Sequence, residues 1–206
     1  MRKILNHFLL PVRFKYLFVF ICVTACIELH AQGVYRLNGS KDNSVKVSGK
    51  SNVHDWTMIA KNPVCEANFG AISQESGVPK NLGSLNFSLK SKSLKSESGS
   101  MNNRTYKAIK ADDYPEIDFK LSEATITPLQ KNKFSVNAIG TLTIAGVSRI
   151  ITLQVNGEVN ADNAILCTGQ KKIKLTDYGI QPPSFMLGAM KVGNELTISF
   201  TLNFKK

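Results

Sequence analysis

Apolar and polar residues alternate along much of this chain. Ser84-Leu-Asn-Phe-Ser-Leu-Lys90 alternates without a break, as do Glu116-Ile-Asp-Phe-Lys-Leu-Ser122 and Lys133-Phe-Ser-Val-Asn-Ala138. The longest case, Glu195-Leu-Thr-Ile-Ser-Phe-Thr-Leu-Asn-Phe-Lys205, sets five apolar residues on one face. Successive strand side chains point to opposite faces, so each segment has one dry and one wet side. Period two over so many segments predicts half-buried antiparallel strands.

Between these runs lie turn residues. Ala145-Gly-Val-Ser148 separates Gly140–Ile144 from Arg149–Val155, and Gly146 is free to take a positive φ. Gly157, Asp162 and Asn163 mark another turn, and Val192-Gly-Asn194 precedes the last strand. The prolines of Gln181-Pro-Pro183 donate no backbone hydrogen bond and belong in a loop or at an edge.

One segment departs from the pattern. Met101, Thr105, Ala108 and Ile109 recur at helical spacing, with Ser100 placed as N-cap and Pro115 stopping the helix before Tyr114. The count is seven to nine strands with one short helix, which suggests a sandwich or barrel; closure would remove the edges that invite aggregation. The 206 residues, 43% hydrophobic and 20% charged, fit one globular domain and exclude disorder or a multi-span membrane protein.

The chain's start reads differently. Arg2, Lys3, Arg13 and Lys15 precede an uncharged apolar run from Tyr16 to Ile27, which is shorter than the roughly 20 residues that span a bilayer. This predicts a secretory signal over residues 1–31, cut at Ala31/Gln32, with the folded domain over 32–206. Val23-Thr-Ala-Cys26 also resembles a lipoprotein box, which would instead lipidate Cys26 and anchor the protein to a membrane. The expected localisation is therefore periplasmic or secreted, with the membrane-anchored lipoprotein as the alternative. Removal of residues 1–31 takes four of 26 basic and one of 15 acidic residues, leaving a net charge of +8. Cys65 and Cys167 would then be the only cysteines. An oxidising compartment permits a disulfide between them, and two separate buried thiols fit the sequence equally.

Candidate chemistry is sparse. His54 and Asp55 are adjacent on a strand, face opposite ways and cannot form an acid–base pair with each other. His54, Cys65 and Cys167 would make three zinc ligands only if the fold gathered them. Asp112 and Asp113 fit a turn before Pro115 better than a carboxylate pair, and Asp177-Tyr178 a bend before Gly179, although Tyr178 is also placed to reach a ligand. No nucleophile elbow, phosphate loop or dinucleotide fingerprint is present. Lys90, Lys92 and Lys95, and Lys171, Lys172 and Lys174, read as solvated outer clusters that could meet an anionic membrane surface. Export and the lack of a reader motif disfavour nucleic acid.

Four segments, in order, resemble the YceI-like family: Ser51-Asn-Val-His-Asp-Trp56; Tyr106-Lys-Ala-Ile-Lys-Ala-Asp-Asp-Tyr-Pro115 with Glu116-Ile-Asp-Phe119; Gly140-Thr-Leu-Thr-Ile-Ala-Gly-Val-Ser148; and Lys171-Lys-Ile-Lys-Leu-Thr-Asp-Tyr-Gly-Ile-Gln-Pro-Pro183. Ala145 departs from the polar residue that many relatives carry. The resemblance implies an all-β, lipocalin-like antiparallel barrel of about eight strands whose lumen holds an isoprenoid or other amphiphilic tail. It implies a periplasmic or secreted binding protein, without catalytic residues, cofactor or metal, and with pairing into a homodimer open. Candidate lumen residues are Trp56, His54, Leu85, Phe87, Ile117, Phe119, Phe134, Val136, Leu142, Ile144, Ile198 and Phe200. For each, filling a core is the plainer alternative, because alternation reports burial and not a cavity. A head-group contact for His54 likewise stands beside a purely structural role. The alternative function is a structural or stress-related barrel with a filled interior that acts through protein contacts on its basic face.

Overall fold

The computed structural model describes residues 33–39, 43–185 and 187–206. The proposed signal segment 1–31 and the lipidation candidate Cys26 lie outside the described residues. The elements are β1 (Gly33–Leu37), β2 (Ser44–Ser51), β3 (Asp55–Lys61), β4 (Val64–Phe69), β5 (Leu82–Lys90), β6 (Leu94–Lys95), α1 (Gly99–Ala108), β7 (Glu116–Gln130), β8 (Lys133–Ile144), β9 (Val147–Val159), β10 (Ile165–Lys174), β11 (Ser184–Phe185) and β12 (Met190–Lys205).

The sheet is a closed antiparallel barrel of eight wall positions. Around it run β1, β4, β5, β7, β8, β9, β10 and β12, and β12 returns to β1 through Arg36↔Lys205 and Leu37↔Phe204. Two positions are split. β2 continues the line of β1 and pairs β12 from Ser44↔Thr201 to Ser51↔Val192. β3 likewise continues β4 and pairs β2, the break falling at Asn62 (φ 58°) and Pro63. β6 borders β3 at Ile59↔Lys95 and Ala60↔Leu94. The ladder between β9 and β10 ends at Gly169↔Val155, so these strands part over their remaining length.

A buried asparagine secures the split between β1 and β2. Asn43 Nδ2 donates to the Asn38 carbonyl at 2.6 Å, and its Oδ1 accepts from the Asn203 backbone N–H at 2.7 Å. These side-chain bonds stand in for ladder hydrogen bonds where the chain jogs from one strand to the next.

Alternation in sequence becomes alternation in space. On β8, Phe134, Val136, Ala138, Gly140, Leu142 and Ile144 all face inward. Four inward glycines each lie beneath an aromatic ring: Gly49 under Trp56, Gly140 under Phe119, Gly157 under Phe134 and Gly169 under Phe200. A Cβ at these positions would meet a ring carbon at 2.3, 2.4, 2.2 and 2.5 Å respectively. Three of the pairs are directly opposed across neighbouring strands. Gly157, expected at a turn, lies within β9 instead; the turn follows at Asn160–Ala164, with Asn163 at φ 58°.

Three other local expectations change. The helix begins at Gly99, with Ser98 rather than Ser100 as cap, accepting from the Met101 N–H at 3.3 Å. Val192-Gly-Asn194 is part of β12, at an irregularity between Val192 and Leu196. The β8–β9 turn is only Ala145 (φ 50°) and Gly146 (φ 78°), two left-handed residues as a tight hairpin requires.

The interior has two clusters. Toward the base, Tyr35 meets Phe69 edge-on at 5.4 Å and Phe69 meets Phe204 at 5.7 Å, with Phe134, Ile165 and Val78 around them. At the opposite end, near α1, the cluster is looser and mainly aliphatic, around Met58, Leu89, Leu142, Ile173 and Leu196.

Asn43→Ala should leave the Asn203 N–H without its side-chain acceptor. The expected loss is about 1–3 kcal/mol, read as a lower denaturant midpoint at unchanged slope. Gly157→Ala should cost about 1–3 kcal/mol by overpacking against the Phe134 ring, and Phe134→Leu in the same chain should return part of that loss.

Candidate functional site: an apolar lumen

A cavity of about 450 Å³ occupies the barrel above the aromatic base. That is within the roughly 300–1,000 Å³ usual for small-molecule sites. Phe69, Phe204, Leu202 and Cys167 form its floor, and the walls are the inward faces of the strands. At the mouth, Met101, Thr105, Ala108 and Ile109 line it from the helical segment, the residues whose spacing predicts a helix.

The helix is fastened over this end. The Tyr106 hydroxyl sits 3.0 and 2.8 Å from the Lys92 and Leu94 carbonyls, and the Thr105 hydroxyl donates to Met58 Sδ at 3.3 Å. Across the opening, the Arg104 guanidinium lies 4.3 Å from the ring centre of Phe185, joining α1 to the β11 segment.

Eleven of the twelve expected lumen residues line this cavity. Leu85 and Phe87 come from β5, Ile117 and Phe119 from β7, and Val136, Leu142 and Ile144 from β8. Ile198 and Phe200 come from β12, Trp56 from β3, and His54 from the turn before it. Phe134 is the exception: it is fully buried in the base cluster, over Gly157, and lies below the cavity. His54 is exposed at the rim, far along the barrel from the base cysteines, so the three-ligand set of His54, Cys65 and Cys167 does not assemble.

Several wall residues escape the sequence reading. Met58, Ile151, Leu153, Val155 and Met190 face the lumen, as does Lys171. Lys171 reads in sequence as one of the outer lysines, but on β10 it shares the inward side with Cys167, Gly169 and Ile173, whereas Lys172 and Lys174 face out. Period-two counting from Ile173 carries that information.

Polar atoms in the lumen are few. Trp56 Nε1 and the Tyr178 hydroxyl, on two lining residues, are covered by protein and have no acceptor among the described residues. Burial, and then the Asp177 charge, push the Tyr178 phenol above its ordinary pKa, partly offset by Arg149. Cys65 and Cys167 are both free thiols in the base cluster. Burial raises the Cys65 thiol, with Cys167 and Glu66 adding to the effect, and pushes Cys167 up to about 12.

A family model, the YceI-like domain, matches residues 41–204. The chain belongs to the YceI-like family. Solved structures of similar fold agree. BcnA from Burkholderia cenocepacia is 20% identical, with a TM-score of 0.61 over 81% of this chain and 98% of its own. A polyisoprenoid-binding domain from Saccharophagus degradans, implicated in plant cell wall breakdown, is 14% identical, with a TM-score of 0.62 over 83% of this chain and 97% of its own. The Campylobacter jejuni YceI protein is 21% identical, with a TM-score of 0.54 over 76% and 85%. Among curated protein sequences none matches significantly. Family membership and these likenesses establish the barrel fold.

The thiols give a signed pH dependence. The unfolded chain loses thiol protons from about pH 8.5, whereas the fold holds them to higher pH. Their contribution to stability is thus fully present below about 8.5 and is lost as pH rises toward 12. Denaturation at pH 7, 9 and 10 should show this fall, and the double variant Cys65→Ala/Cys167→Ala should have a shallower one.

Proposed function

We propose that this barrel is a binding protein that holds an isoprenoid or other amphiphilic lipid in its lumen, for sequestration or transport outside the cytoplasm. The observation that carries the reading is the cavity itself: walled by aliphatic and aromatic side chains, floored by rings and reached from one end. Burying a tail there contributes about 0.8 kcal/mol per CH₂ before ordering costs, so affinity needs no reacting group. The relative described as a polyisoprenoid-binding domain supports this choice of ligand class.

The site acts by burial and positioning, not by catalysis. The basic, apolar start of the sequence supports export, with lipidation at Cys26 as the other way of keeping the protein at a membrane. The outward lysines, Lys172 and Lys174 among them, suit transient contact with an anionic membrane where a lipid is loaded or released. Acting through protein contacts on a basic face is the weaker reading, since the interior is hollow and Lys171 does not belong to that face. Pairing of two barrels is compatible with either role.

Native mass spectrometry of the full chain, purified from its own compartment and then denatured, tests the proposal. A released lipid mass is expected. Protein that is consistently empty and also refuses added isoprenoids would overturn it. Leu153→Trp should fill the middle of the lumen and weaken lipid uptake at least about tenfold, while the melting temperature stays near that of the parent.

A further inference from the structure

Among the described residues, no Asp or Glu lines the cavity, whereas two cations do, Arg104 and Lys171. Arg104 already has a partner in the Phe185 ring. Lys171 has none: it forms no ion pair and no side-chain hydrogen bond, and on an otherwise apolar wall it faces inward opposite Ile198. Lys171 is only partly exposed, so its charge is held beside the apolar cavity. A lumen with an unpaired cation and no lining carboxylate is complementary to a ligand that brings negative charge.

The position of Lys171 fits this. It lies just beyond Gly169↔Val155, where β9 and β10 part. A head group there would sit at an interruption of the wall and not against the sealed base, and the tail would occupy the apolar space below. Resting on the lipid-binding reading above, we infer that the ligand is an amphiphile with an anionic oxygen head, a carboxylate or a phosphate, paired with Lys171 inside the lumen. The lysine then selects among lipids whose tails the walls would accept equally.

The test uses full-chain protein stripped of lipid and two matched pairs of probes: hexadecanoate with hexadecanol, and farnesyl phosphate with farnesol. The parent should bind the anion of at least one pair about tenfold or more tighter than its alcohol. Lys171→Met should erase that preference by weakening binding of the anion toward that of its alcohol. Lys171→Arg should keep it, as should Lys172→Met on the outer face. The pair that shows the preference identifies the head as carboxylate or phosphate. Melting curves establish that each variant is folded. Equal binding of anion and alcohol by the parent, or a preference that survives in folded Lys171→Met, would overturn the inference and leave the carrier reading standing. Failure of all four probes to bind the parent, together with no released lipid mass, would remove the carrier reading and this inference with it.

Discussion

The structure depends on the close approach of rings to bare backbone. Trp56, Phe119, Phe134 and Phe200 each lie against a glycine on a neighbouring strand, so close that even a methyl group there would collide. A ring folded back onto the wall in this way is buried without projecting to the barrel axis. Glycine within a strand is ordinarily weakening, and a cross-strand ring restores the missing packing. Three of these rings line the cavity and the fourth, Phe134, belongs to the base. The same local device therefore helps to keep one half of the barrel hollow and the other half filled.

The two halves differ through side-chain volume. At the base, Tyr35, Phe69, Phe134 and Phe204 converge, and their edge-on packing closes the space. Toward the helix the inward positions are mostly aliphatic and the β9–β10 ladder ends early, whereas the two strand splits, at Asn43 and at Asn62–Pro63, adjoin the base. Asn43 shows how the splits are tolerated. Its amide satisfies a carbonyl on one side of the jog and a backbone N–H of β12 on the other, so the closed hydrogen-bonding circuit survives the change of strand.

Much of this is legible in the sequence because strand periodicity is a strong signal. The alternating runs Ser84–Lys90, Lys133–Ala138 and Glu195–Lys205 all lie within strands and present the expected faces. What is not legible requires a partner strand. Gly157 looks like a turn residue until Phe134 is placed on top of it, and Phe134 looks like a lumen residue until the base is seen to be filled. Depth along a barrel is set by register, which alternation does not report. The helix cap differs from expectation because Ser98 and Ser100 offer the same hydroxyl two residues apart. Lys171 is deceptive for a different reason: three lysines close in sequence resemble one patch, yet a strand deals neighbours to opposite faces.

The aromatic base also sets the shape of the space that the barrel encloses. A sealed floor makes the vessel a cup and not a pipe: a lipid held as proposed would enter and leave past the same rim. The Arg104–Phe185 contact stands at that rim, where a lipid exchanged as proposed would have to pass or part it.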